Sequence, residues 1–263
     1  MLIQLCLIKE SEVRKENDFF CFWLFIFGSI FAFFHIEPTF LESFLKKPLT
    51  WGDALDFFTP FAVVPTAYFL YSHINRFSRS NPNPHPSPKI LNTSGKVILA
   101  LGFLLYIEGH GLHLSANSIA RLLQGMKGSE LYRATYLFDE IISHIIWDVG
   151  FFLISVGLIL LACKISFKSL SWKNIALLSI GAALFGIAFT ANGIEGQTVI
   201  FSFPAAGAGF CLALFFYLGR KKEKNSNPFL YFFLSAYCLS LILFACWGIS
   251  HSGFPQFSEL GWI

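Results

Sequence analysis

Two short stretches of this sequence hold most of its capacity for chemistry. The first reads Glu108-Gly109-His110-Gly111-Leu112-His113-Leu114-Ser115-Ala116-Asn117. On a regular helix His110, His113 and Asn117 fall within about 60° of one another. Two imidazoles three residues apart can reach one metal ion. Glu108 falls on nearly the opposite face and joins them only where the helix is irregular, which Gly109 and Gly111 permit. The second stretch runs from Asp139 and Glu140 through Ser143 and His144 to Trp147 and Asp148. Glu140, His144 and Asp148 are spaced four apart and share one side of a helix, with Ser143 and Trp147 beside them.

Three ligands from two helices, His110, His113 and His144, leave an open coordination position, which is the pattern of a catalytic zinc site. Glu140 or Glu108 then serves as general base, Asp148 orients His144, and His251 is available as a fourth ligand. Iron, as an ion or in haem, suits the same residue types and would make the protein an oxidoreductase. Without a metal, Asp148, His144 and Glu140 form a relay for a proton-coupled transporter or channel. As a third alternative, the same groups form a buried hydrogen-bond network that locks helices together. The residues alone leave all three open.

The elements that must position these groups are apolar helices. Of 263 residues 55% are hydrophobic and only 13% charged, against about 25% charged in ordinary soluble domains. That excludes a free cytosolic enzyme, and the 33 Phe exclude disorder. Apolar runs occupy 19–36, 54–71, 97–114, 141–163, 175–191, 198–218 and 228–249, each near membrane length. The reading is an all-α integral membrane protein with seven transmembrane helices. Residues 1–18 form a leader, 19–251 one membrane domain, 73–96 a Pro-rich loop and 252–263 a tail. The second run holds Asp56, Pro60 and Pro65, so a kink or break is expected there. Within 37–47, Phe40, Leu41, Phe44 and Leu45 share a helical stripe and predict a short interfacial helix.

Orientation follows from the 19 Lys and Arg. Fourteen fall in the leader and the loops on its side, and five (Lys46, Lys47, Arg121, Lys127, Arg133) on the other. Positive charge stays inside, so the N-terminus is cytoplasmic and the C-terminus outside. The polar residues gather at the outer ends: His35, Glu37, Asp53 and Asp56, then the two stretches above, then Asn192, Glu195, Gln197, His251 and Glu259. Asn117, Asp139, Ser143, Glu195 and His251 are the expected lining of an outer polar cavity. His35 and His73 read as interfacial anchors, and Arg121 and Arg133 as solvated charges. Small residues in 181–196 and 204–209 read as close helix packing. The six cysteines lack metal or haem spacing, and no phosphate loop, GxSxG or nucleic-acid surface is present.

The pattern is similar, in architecture alone, to the superfamily of alkaline ceramidases and progestin–adipoQ receptors, seven-helix membrane proteins with a zinc ion held by three histidines. The histidine pair of that family's last helix is missing here, where His251 stands alone, and no residue is carried over. The expectation from the residues is a plasma- or inner-membrane protein in contact with membrane lipids. Its outer His/Asp/Glu cluster would hold zinc, or iron, and hydrolyse a lipid or lipid-linked substrate.

Overall fold

The computed structural model describes residues 2–41, 43–80, 89–163, 165, 169–219 and 227–262; the side chains of 2–15, Ser80 and Lys89 lie outside that description. The chain is almost wholly helical. Helix α1 covers Leu2–Ile36, followed by a 3-10 turn at Glu37–Phe40. A two-stranded hairpin comes next, β1 (Phe44–Lys46) against β2 (Leu49–Thr50), antiparallel with Phe44 opposite Thr50. Helices α2 (Trp51–Ser80) and α3 (Lys89–Leu122) follow. Then come α4 (Glu130–Tyr136), a π-helical segment (Leu137–Ser143) and α5 (His144–Ala162), which together form one rod. Helices α6 (Trp172–Glu195), α7 (Val199–Leu218) and α8 (Pro228–His251) complete the bundle. Seven helices are long and apolar enough to cross a membrane, as the seven runs predict.

Two local expectations differ and a third narrows. The stripe in 37–47 makes no interfacial helix, because Phe44 and Leu45 enter the hairpin. Of the kink or break expected at Pro60 and Pro65, the break does not occur, since α2 runs through both. The loop at 73–96 shrinks from both sides, since α2 runs to Ser80 and α3 begins at Lys89; its proline-rich centre, 81–88, lies outside the described residues.

Side-chain caps fix several helix starts. Ser129 accepts from the amide of Tyr132 at 3.2 Å and Ser171 from that of Asn174 at 3.3 Å. Asn227 caps α8 through the amides of Phe229 and Leu230 and also donates to the Ala162 carbonyl at 2.7 Å. One side chain thereby ties the end of α5 to the start of α8. Asn174 does the same for α6 and α1, donating to Asp18 at 2.8 Å.

The core is aromatic. Phe31 and Phe151 stack with centroids 3.7 Å apart, and Phe185 lies within 5.1 Å of both. Phe27, Phe189, Phe232 and Tyr237 extend this layer. Large apolar side chains such as Phe61, Leu104 and Ile249 cover the outside, the inverse of a soluble fold.

Helices α3 and α5 meet backbone to backbone over several turns, and glycine allows it. A Cβ on Gly109 would lie 2.6 Å from the backbone nitrogen of Trp147, and one on Gly102 2.7 Å from that of Ile154. Gly150 and Gly157 on α5 return the contact against Tyr106 and Leu99. Small residues let helix backbones meet in this way. We expect Gly109→Ala to cost about 1–3 kcal/mol through overpacking, read as a lower unfolding midpoint in detergent. Gly207→Ala, on α7 with nothing within 4 Å of the new Cβ, should leave the midpoint unchanged or raise it.

Candidate functional site

The glycine seam sets the register of α3 against α5, and the polar residues of both helices meet just beyond it. On α3, Tyr106, His110, His113, Asn117 and Arg121 recur every three or four residues and so face one direction. They meet Asp53 and Asp56 from α2, His35 from α1, and Asp139, His144, Trp147 and Asp148 from the π–α5 rod. Trp147 meets the rings of His110, His113 and His144. His110 lies nearly parallel to the indole at 4.5 Å, His144 is tilted at 4.3 Å, and His113 meets it edge-on at 5.1 Å. His113 and His144 meet each other edge-on at 4.8 Å.

Each polar group taken out of solvent needs a partner. His110 Nδ1 lies 3.1 Å from Asp56 Oδ1, and His110 is only 3% exposed. Thr59 donates to the same carboxylate oxygen at 3.4 Å. A carboxylate accepts only, so the proton sits on His110 Nδ1, while Nε2 is buried with no hydrogen-bond partner. His113 Nδ1 lies 3.0 Å from Asp139 Oδ1, off the line of an ideal hydrogen bond, and 3.5 Å from the Asp139 carbonyl. His35 donates from Nδ1 to the Phe31 carbonyl at 2.8 Å and accepts at Nε2 from the Tyr106 hydroxyl at 3.0 Å. Asp148 is held by the indole N–H of Trp147 at 2.9 Å and by the Thr198 hydroxyl. His144 has no hydrogen-bond partner on either nitrogen. Its Nδ1 sits where a Cβ of residue 196 would be, so the turn after α6 must carry Gly196.

A second group closes the start of α2. The Thr50 amide donates to Asp53 at 2.7 Å, and the Asp53 amide donates back to the Thr50 hydroxyl at 3.1 Å, a reciprocal cap of the helix start. Asp53 also accepts from Asn117 at 3.3 Å and pairs with the Arg121 guanidinium, which reaches the Pro48 carbonyl as well. Arg121 is therefore a clasp between α2 and α3, and not the solvated charge its sequence position suggests.

The structure sorts the remaining sequence-derived candidates. Asp139, not Glu140, turns inward. The π segment inserts extra chain into the turn, so Asp139 faces His113 and is 2% exposed, while Glu140 stays half-buried and makes no hydrogen bond or ion pair among the described residues. Ser143 spends its hydroxyl on the Asp139 carbonyl. Because α3 is regular, Glu108 stays exposed on the opposite face, away from the cluster. Glu195 leaves the cluster too: its carboxylate accepts from the amides of Phe257 and Ser258 and pins the C-terminal tail. His251 bonds to the Trp247 carbonyl at 3.2 Å and stacks on that indole at 4.0 Å. It joins no ligand set with His110, His113 and His144. Among the described residues no group of three or more His, Cys, Asp or Glu could hold a metal ion. The arrangement explains this. His110 packs on Trp147, and His113 and His144 are the only two of the three rings in direct contact. Asp56, His35, Tyr106 and Thr198 are cluster members that spacing within single helices does not reveal; the one hint is Tyr106, one turn before His110.

No family model, curated protein or solved structure matches the chain.

The Arg121 clasp gives a direct check. Arg121→Ala leaves the buried Asp53 carboxylate without its counter-ion and should cost about 3 kcal/mol. Combining Asp53→Asn with Arg121→Met should recover part of that loss in thermal unfolding, since no uncompensated charge then remains.

Proposed function

We propose that the chain is a multi-pass membrane protein with a cytoplasmic N-terminus, and that its outer His/Asp cluster is a one-sided acid–base site. The distribution of Lys and Arg supports this orientation. The observation that carries the chemical reading is the pair of carboxylate–imidazole dyads, Asp56–His110 and Asp139–His113, set against one indole. In the Asp56–His110 dyad the carboxylate holds the proton on Nδ1 and leaves Nε2 as the reactive nitrogen, and Asp139 stands 3.0 Å from Nδ1 of His113. Such a nitrogen takes a proton from water, and the imidazolium so formed returns that proton to the leaving group. Hydrolysis of a lipid or lipid-linked substrate at the outer leaflet uses both steps. His113, with 18% of its side chain exposed, is the member within reach of an incoming substrate.

The rings of Phe31, Phe151 and Phe185 underlie the cluster, and their side chains carry no polar atom for a relay. This favours a one-sided site over a proton-coupled transporter. No step is assigned to zinc or iron, because the three histidines do not converge.

The test is turnover in nanodiscs made from a total lipid extract, with released headgroups and acyl chains followed by mass spectrometry. Removing the imidazole in His110→Ala or His113→Ala should lower the rate about 10²–10⁴-fold, while Glu140→Gln stays near wild type. Undiminished turnover in both histidine variants, or proton flux in proteoliposomes with no lipid product, would overturn the proposal.

A further inference from the structure

The turn between α6 and α7 lies directly over His144. A Cβ on Gly196 would overlap the ring at Nδ1, so the backbone of this turn closes that edge of the imidazole. His144 is 8% exposed, and neither of its nitrogens has a hydrogen-bond partner. A polar ring left buried and unpartnered costs free energy in this conformation. The turn carries strain of its own. Gln197 holds φ at 54°, in the left-handed region that residues with a side chain rarely adopt.

The turn closes on itself without outside help: the Gly196 amide donates to the Asn192 carbonyl at 2.8 Å and the Thr198 amide to the Gly193 carbonyl at 3.0 Å. Two further sets of contacts then hold it in place. On the cluster side, the Thr198 hydroxyl bonds to Asp148, and Ser202 packs on Gly193. On the other side it is held by the C-terminal tail. The Glu195 carboxylate accepts from the amides of Phe257 at 2.8 Å and Ser258 at 3.3 Å, and from the Ser258 hydroxyl. Gln256 donates from Nε2 to the Glu195 carbonyl and accepts at Oε1 from Gln197 at 2.8 Å. The tail is seated on α8, where the Trp247 indole donates to the Pro255 carbonyl at 3.0 Å and Phe254 lies against Gly248. A cavity of about 280 Å³ between turn and tail, lined by Gln197, Val199, Phe254 and Gln256, leaves the turn open space on that side.

We propose that the α6–α7 turn is a gate over Nδ1 of His144, and that the C-terminal tail, clasping Glu195 and Gln197, is the latch that keeps it shut. The purpose of the gate rests on the acid–base reading above, since a nitrogen that exchanges protons must be reached; its movement does not depend on the reaction. When the tail lets go, the turn swings toward the cavity about Gly193 and the Thr198–Asp148 contact. Gln197 leaves its left-handed conformation, and Nδ1 of His144 meets solvent or substrate. When the tail returns, water is shut out again, as a closing lid does. Glu195 is thus a positioning residue that acts through Gly196, and not a base.

The test treats the full chain in nanodiscs with diethyl pyrocarbonate, which acylates imidazole nitrogens that solvent can reach, and follows each histidine by mass spectrometry. His144 of the wild type should react slowly. Glu195→Ala removes the bonds that its carboxylate accepts from the tail and should speed acylation of His144 about tenfold or more. Glu195→Gln, which still accepts a hydrogen bond, should have a smaller effect. Gln256→Ala, a change in the tail alone, should also speed it, and it carries the test if Glu195→Ala does not fold. His73, toward the far end of α2, should react at the wild-type rate in every variant. An unchanged His144 rate in both alanine variants, or an equal rise at His73, would overturn the gate. Turnover followed on the same samples separates the two proposals: a His144 rate governed by Glu195 in a protein that turns over no lipid would keep the gate and discard the acid–base reading.

Discussion

The whole site depends on how close α3 and α5 come. Gly102 and Gly109 on one helix, with Gly150 and Gly157 on the other, let backbone meet backbone. That contact fixes the position of Trp147 against the histidines of α3. A helix pair separated by ordinary side chains would hold the same residues too far apart to share one indole. The seam also fixes register: Tyr106 packs against Gly150, so His110 and His113 arrive beside Trp147 and His144, one turn on.

Desolvation then dictates the pairings. The aromatic layer below excludes water, so each ionisable group above it must find a partner inside the protein. Asp56 takes His110, Asp139 faces His113, and Asp148 takes Trp147 and Thr198. In His110 this fixes one ring nitrogen and leaves the other open, and His144 has both open. A network built only to lock helices would be expected to close these positions. Here they stay open around one indole, which is why a chemical role is favoured over a structural one. At the rim, the Arg121–Asp53 clasp and the tail held by Glu195 fix the elements around the cluster.

Much of this was legible in the sequence. Seven helices follow from apolar runs of membrane length, since length and hydropathy are local properties. The gathering of His110, His113, His144, Asp139 and Asp148 at one end follows from helix geometry and alternating topology. Pairings between helices were not legible. The Asp53–Arg121 clasp joins residues 68 apart in sequence, and His35 reads as an interfacial anchor until Tyr106 is placed beside it. The π segment at Leu137–Ser143 has no sequence signature, and it exchanges Asp139 for Glu140 at the site. The zinc reading assumed that histidines sharing a face also share a point, and Trp147 keeps His110 from joining the other two in that way.

The dyads can be observed without knowing the substrate. Nitrogen NMR of the histidine-labelled protein in nanodiscs reports which ring nitrogen carries the proton and whether either binds a metal. The account predicts that His110 is protonated at Nδ1 with a free Nε2, and that Asp56→Asn removes this preference while leaving His113 unchanged. A His110 signal protonated at Nε2, or one shifted by metal coordination in the wild-type protein, would contradict it.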